Sequence, residues 1–410
     1  MSSGHLQDES KDKNELHQRT QVVRSGLECD ETGAVVPPIH LTSTFAFRGF
    51  GEKRAYDYTR SGNPTRDLLA TALAELEEGA GAVVTSTGMS AITLVGYLIP
   101  AGGRIIAPHD CYGGTYRLFN AWNVRGERKV EFVNFNDEAA VREALATPCA
   151  LLWIETPSNP LLRISDVEKL CTLGHAAGAL VCVDNTFLSP AWQQPLKLGA
   201  DLVLHSTTKY LNGHSDVVGG AVVAKDKALH DQLIWWANCL GLTGAPFDSF
   251  LTLRGLRTLH VRLDAHGRNA LGLAQWLQTQ PAVKKVYYPG LPTHPGHDIA
   301  RRQQSGFGAI VTLEIAGGHD GVRAFVDGLQ CFSLAESLGG VESLVAHPAT
   351  MTHAAMDPVA RQQAGLCDGL LRLSVGIEAL EDLQADLAAA LKRTEAVLPK
   401  QSREATATAA

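Results

Sequence analysis

The sequence predicts an α/β protein in which a mostly parallel sheet domain is preceded by an N-terminal arm and followed by a smaller C-terminal α+β domain. Three observations predict it. From Pro64 to about Ala265, helical stretches such as Asp67 to Glu78 alternate with short apolar strands at Ala82, Arg104, Val130, Ala150, Leu180, Leu202 and Ala221. Alternation of this kind makes a parallel sheet with crossover helices. After a long helical passage, Arg262 to Leu277, the chain carries separated apolar segments at Ala309 to Ile315 and Leu370 to Val375, then a helical pattern from Ala379 to Val397. Ahead of both, Arg19 to about Asn63 is rich in Gly, Pro and Thr with little helical periodicity, as expected of an extended arm that reaches a neighbouring chain.

The implied organisation is a disordered tail over residues 1–18, the arm over 19–63, the sheet domain over 64–265, the C-terminal domain over 266–398 and a second disordered tail over 399–410. Both tails are polar or low in complexity and cannot bury enough apolar surface to order themselves. With 410 residues and 45% hydrophobic content, the rest of the chain is large enough for a substantial core. No apolar run approaches a bilayer span and no secretory signal opens the chain, so neither a membrane nor export is expected and the cytoplasm is the default compartment. A formal net charge of −7 without a basic tract argues against nucleic-acid binding. The eight cysteines form no CxxC pair and no regular spacing, which points to reduced thiols, no disulfide framework and no metal site.

The chemistry starts at His205-Ser-Thr-Thr-Lys209, directly after the apolar segment Ala200 to Leu204. A strand ending there places Ser206, Thr208 and Lys209 at the carboxyl edge of a sheet, where open α/β folds keep their ligands. Hydroxyls bind phosphate oxygens, and a partly desolvated lysine loses its proton more easily and attacks an aldehyde. That combination reads as a Schiff-base site for pyridoxal 5'-phosphate. A lone lysine beside hydroxyls is more often an ordinary surface residue, so a second signal matters. Upstream, Leu180-Val-Cys-Val-Asp184 reads as a buried strand ending in an acid, which pairs with a protonated pyridine nitrogen. A third signal is Thr85-Ser-Thr-Gly88-Met89-Ser90-Ala91, a glycine turn that opens a helix whose free N–H groups face an anion. Arg372, inside the apolar strand Leu370 to Val375, is a buried cation that needs an anion; a substrate α-carboxylate and a structural salt bridge are both open to it.

These motifs, with Val35-Val-Pro-Pro-Ile-His-Leu-Thr-Ser-Thr, Tyr56-Asp-Tyr-Thr-Arg-Ser-Gly-Asn-Pro-Thr, Asp110-Cys-Tyr-Gly-Gly-Thr-Tyr-Arg and Leu370-Leu-Arg-Leu-Ser-Val-Gly-Ile-Glu378, resemble the Cys/Met-metabolism family of fold-type I pyridoxal-phosphate enzymes. That family includes cystathionine gamma-synthases, cystathionine lyases and homoserine-ester sulfhydrylases. The resemblance covers all but the two ends of the chain and implies a fold-type I transferase. It implies that Tyr112 lies on the cofactor ring and that Tyr58 and Arg60 cross a dimer interface to hold the phosphate of the partner's cofactor. It further implies Arg372, Asn159 and Ser337 at the substrate carboxylate, and a homotetramer built from dimers with shared active sites.

Trp235-Trp-Ala-Asn, Gly241-Leu-Thr-Gly-Ala-Pro-Phe-Asp-Ser and Arg301-Arg-Gln-Gln-Ser-Gly-Phe-Gly resemble the bacterial gamma-synthase branch most. Arg117 matches that branch as well, near the distal carboxylate of O-succinylhomoserine, while Glu336 agrees with synthases and gamma-lyases alike. The expected reaction is replacement at Cγ of O-succinylhomoserine by L-cysteine, giving cystathionine and succinate in methionine biosynthesis by transsulfuration. A gamma-lyase or an O-succinylhomoserine sulfhydrylase is the alternative on the same scaffold, and a non-catalytic cofactor-binding protein is the remote one. There is one departure: Ser61 stands where a similar synthase of that branch carries a second arginine, and serine at this position is common among gamma-lyases.

Overall fold

The computed structural model describes residues 16–27, 32–351 and 365–398. The expected C-terminal tail and most of the N-terminal one lie outside the described residues. Seven strands, β1 (Gly81–Thr85), β2 (Arg104–Pro108), β3 (Lys129–Val133), β4 (Leu151–Glu155), β5 (Leu180–Asp184), β6 (Leu202–His205) and β7 (Gly220–Ala224), form one sheet in the order β1-β7-β6-β5-β4-β2-β3. β7 runs antiparallel to both its neighbours, β1 and β6, and every other pairing is parallel. Six strands therefore share one direction, and the carboxyl ends of β1, β4, β5 and β6 meet at one edge.

The strands are apolar along their whole length because both faces are covered. Leu202 and Leu204 pack with Trp153 and Cys182 on the face that carries the helices Gly88–Tyr97 and Lys227–Leu240. Leu152, Ile154, Val181 and Val183 turn to the opposite face, against the helix Val167–Ala176, as the two-residue period of a strand requires. The same alternation carries Val203 and His205 to the helix Pro64–Glu77.

A second sheet, ordered β10-β11-β12-β9-β8, contains β8 (Val283–Tyr287), β9 (Ile310–Ile315), β10 (Ser333–Leu334), β11 (Leu344–Ala346) and β12 (Leu370–Ser374). Only β10 and β11 pair in parallel. The sequence reading found β9 and β12 and missed the other three. β8 is an edge strand whose Lys284 and Lys285 are exposed, and β10 is two residues long, so neither carries an apolar run.

The arm also differs from its expectation at one point. Gln18–Arg24 is a helix, started by His17, whose Nδ1 accepts from the Arg19 N–H, and anchored by the buried Val22 and by an ion pair of 2.7 Å between Arg19 and Asp264. Seven residues with one buried side chain hold too little periodicity to be read without the surface they rest on. Further along, the arm folds back on itself through isolated bridges between Thr44 and Tyr58 and between Gly49 and Glu52.

Candidate active site

A cavity of about 490 Å³ opens at the shared carboxyl edge of the first sheet and reaches across to the second. The residues that follow the strand ends line it: Thr87, Gly88 and Met89 after β1, Glu155 and Asn159 at and after β4, Asp184 and Thr186 at and after β5, and Ser206, Thr208 and Lys209 after β6. Tyr112 and Arg117 enter from the helix Gly113–Val124, and Glu336, Ser337 and Arg372 from the second sheet. Every site residue expected from the sequence lines this cavity except Tyr58 and Arg60. Those two lie on the arm, half-exposed and exposed, with the Arg60 guanidinium over the Tyr58 ring at 5.6 Å and its Nε donating to Asn238 Oδ1 at 3.0 Å.

Lys209 is largely buried, and its Nζ donates to Ser337 Oγ at 2.8 Å. Burial, helped by the Arg372 charge, pulls the amine down to about 8. Ser337 holds a left-handed backbone, φ +84, and its carbonyl accepts from Arg372 Nη2 at 2.7 Å. Arg372 Nη1 donates to Asn159 Oδ1 at 3.0 Å, while its buried Nε has no partner among the described residues. Burial draws this guanidinium down to about 10, so it keeps its charge at neutral pH. None of its bonds ends on a carboxylate, and among the described residues it forms no ion pair.

Asp184 is buried, and its Oδ1 accepts from the Thr186 N–H at 3.0 Å and from the Thr186 hydroxyl at 2.5 Å. The Thr186 oxygen in turn accepts from the Ser206 N–H at 2.9 Å, tying the ends of β5 and β6 together. Burial raises the Asp184 carboxyl and the Thr186 bonds oppose that. Thr186 carried no role in the sequence reading; a hydroxyl two residues past a strand-ending acid was its signal.

The helix Gly88–Tyr97 points its N-terminus at the cavity. Thr87 caps it by accepting from the Ser90 N–H at 2.9 Å, and the Gly88 and Met89 N–H groups, in its first turn, have no intrahelical acceptor. A Cβ on Gly88 would stand 2.9 Å from Ser206 Cβ, so only glycine lets the helix start come this close to the lysine turn. Tyr112 is 40% exposed, and Gly114 makes room for it: a Cβ there would meet the tyrosine Cε1 at 2.4 Å. Cys111 beside it is fully buried, with its thiol pushed well up by burial, and so behaves as core.

Sequence reasoning also missed a buried pair behind the site, His205 Nε2 and Glu77 Oε1 at 2.7 Å. Its partners are 128 residues apart, and nothing local connects them. Glu155 was missed as well, although Leu-Leu-Trp-Ile-Glu155 repeats the pattern that exposed Asp184.

The fit to pyridoxal phosphate is good. An unpartnered helix start and hydroxyls suit a phosphate, a buried acid suits the pyridine nitrogen, a desolvated lysine suits the aldehyde, and the orphaned Arg372 Nε suits a carboxylate. Among the described residues no helix is long and apolar enough to cross a membrane, no His/Cys/Asp/Glu cluster suits a metal, and the described cysteines are free.

Known proteins place the chain further. Residues 19–392 match the model of the Cys/Met metabolism PLP-dependent enzymes. A cystathionine gamma-synthase of Escherichia coli K12 is 59% identical over 372 residues, covering 90% of this chain and 96% of the relative. A cystathionine beta-lyase of Coxiella burnetii is 47% identical over 380 residues, covering 92% and 98%. Among solved structures, a cystathionine gamma synthase from Xanthomonas oryzae pv. oryzae, in complex with aminoacrylate and cysteine, superimposes with a TM-score of 0.92 at 60% identity, covering 93% of this chain and all of that one. The chain is thus a fold-type I enzyme of the Cys/Met metabolism PLP-dependent family, with pyridoxal phosphate as its cofactor.

Proposed function

We propose that this enzyme is a gamma-synthase, replacing the succinate of O-succinylhomoserine at Cγ with the thiol of L-cysteine to give cystathionine and succinate. The observation that carries the reading is a cavity in which Lys209 faces a buried guanidinium, Arg372, that no acid among the described residues pairs with. Kinship to gamma-synthases supports the choice of reaction.

When bound, pyridoxal phosphate supplies an aldehyde carbon for an amine and a cationic ring that accepts the electron pair of the substrate α carbon. Gly88, Met89, Ser206 and Thr208 hold its phosphate, and Asp184 keeps a proton on its ring nitrogen. Tyr112 covers the ring face and excludes water from it. Arg372 grips the substrate α-carboxylate with its fork, and Asn159 fixes the fork. Lys209 Nζ, its pKa drawn down to about 8, takes the proton from Cα, hands it on, and once neutral again removes one from Cβ, so that the succinate carboxylate leaves Cγ before the cysteine sulfur adds there; the proton shifts then run in reverse. Ser337 aims that amine. Arg117 and Glu336, exposed where the cavity opens, face the distal end of the ester and the incoming cysteine.

Tyr58 and Arg60 are proposed to serve the phosphate site of a partner chain, which makes at least a dimer, and a tetramer of paired dimers, the working form. The cytoplasm is the compartment we propose.

A second reading, gamma-elimination by a lyase, has one specific support. Ser61 Oγ is occupied by Asp57 Oδ1 at 2.8 Å and the Tyr58 carbonyl at 2.7 Å, so the arm offers no cation at that position for a distal carboxylate. A side-by-side assay of O-succinylhomoserine plus cysteine against cystathionine alone decides between them. Faster release of cysteine from cystathionine would overturn the synthase reading.

A further inference from the structure

Three carboxyl groups are buried together at the edge of the first sheet: Asp110 after β2, Glu155 closing β4 and Asp184 closing β5, each less than a tenth exposed. Their surroundings differ. Asp110 Oδ2 accepts from Arg163 Nη1 and from the Ser158 hydroxyl, both at 2.7 Å, and so has a cation beside it. Asp184 accepts twice from Thr186. Glu155 has one donor, the Tyr112 backbone N–H at 2.8 Å to its Oε2, and among the described residues no cation pairs with it.

Glu155 and Asp184 are also register partners on adjacent parallel strands, so their side chains leave the sheet next to each other. Of two buried carboxyl groups side by side, the one with fewer donors keeps the proton more readily. Asp110, which follows β2 on the other side of β4, adds repulsion. Burial and the Asp184 charge together push Glu155 well above the usual carboxylate range.

We propose that Glu155 works as a protonated carboxylic acid, a positioning residue that holds the Tyr112 N–H at the cavity wall and leaves Asp184 as the ionised carboxylate facing the cofactor ring. The proposal rests on the reading of Asp184 and Tyr112 given above. It explains why an acid, and not a hydrophobe, closes β4: the position needs an acceptor for a buried N–H beside a negative charge.

The test is the infrared spectrum of the holoenzyme at neutral pH, parent against Glu155→Gln, with cofactor affinity measured for Glu155→Gln and Glu155→Ala. A protonated-carboxyl carbonyl band present in the parent and lost in Glu155→Gln supports the proposal. So does a cofactor affinity about tenfold weaker in Glu155→Ala than in Glu155→Gln, because the amide still accepts from Tyr112 and the methyl does not. Absence of the band, or equal weakening by both substitutions, overturns it. Isotope-labelled glutamate shifts the same band in the parent itself and separates it from any aspartic acid, so a poorly folding variant does not spoil the test. The band is read without substrate, so an incorrect substrate assignment leaves it in place.

Discussion

Lys209 Nζ and Ser337 Oγ stand 2.8 Å apart, although the lysine follows β6 of the first sheet and the serine follows β10 of the second. The hydrogen bond therefore joins two sheets at the reacting amine. Ser337 also holds a φ of +84, a backbone that side chains other than glycine rarely adopt, so the surrounding structure must enforce it.

Ser337→Gly permits that backbone and removes the hydroxymethyl side chain. Turnover is expected to fall about tenfold through kcat, with KM for the amino substrate less affected, since the amine is mis-aimed while Arg372 still binds the carboxylate. Steady-state kinetics checks it.

Lys209→Ala removes the amine proposed to move the protons at Cα and Cβ. A loss of about a thousandfold or more in rate is expected, together with loss of the visible absorbance characteristic of a lysine-linked cofactor. Absorbance and single-turnover assays read both effects.

The lysine also sets a pH dependence of folding in the cofactor-free protein. Its folded-state pKa of about 8 lies below the ordinary 10.5. Below pH 8 the folded chain carries a buried ammonium at full cost; between about 8 and 10.5 the unfolded chain binds the extra proton, so stability from this group rises with pH. Cofactor-free Lys209→Met should accordingly exceed the parent by about 2 kcal/mol near neutral pH, with the gap closing toward pH 10. Denaturant midpoints at the two pH values test the sign.

Gly88→Ala inserts a methyl where 2.9 Å separates the ideal Cβ from Ser206. Displacement of the helix start should weaken cofactor affinity about tenfold while excess cofactor restores most activity. Titration of the cofactor-free protein by fluorescence measures it.

Arg372→Lys keeps the charge and loses the fork. KM for the amino substrate should rise about tenfold, with a smaller change in kcat, because a point charge cannot hold both carboxylate oxygens and Asn159 at once. Unchanged KM would place the α-carboxylate elsewhere.

How far the sequence reveals this site depends on where each residue sits along a strand. Asp184 and Lys209 are legible because an apolar run stops at each and the polarity changes abruptly. Gly88 is legible because a glycine follows a strand and opens a helix. Glu155 has the same signature as Asp184, yet the Thr-Pro-Ser-Asn-Pro that follows draws attention to the loop. His205 and Glu77 give no local sign, since they meet where the last residue of the helix Pro64–Glu77 comes against the last residue of β6. The first sheet was readable strand by strand from its alternation with helices. The second was not, because β10 and β11 are two and three residues long and are defined by their neighbours rather than by their own composition.

The reversed strand β7 is the sole neighbour of β1, and their register joins Gly81 to Ala224. A nascent chain on the ribosome accordingly exposes β1 as an open edge until β7 has emerged, and the helix start at Gly88 has no fixed seat beside Ser206 before then. Cofactor capture would then have to await β7, and a chain truncated short of residue 224 would leave β1 an unpaired apolar strand for chaperones to shield.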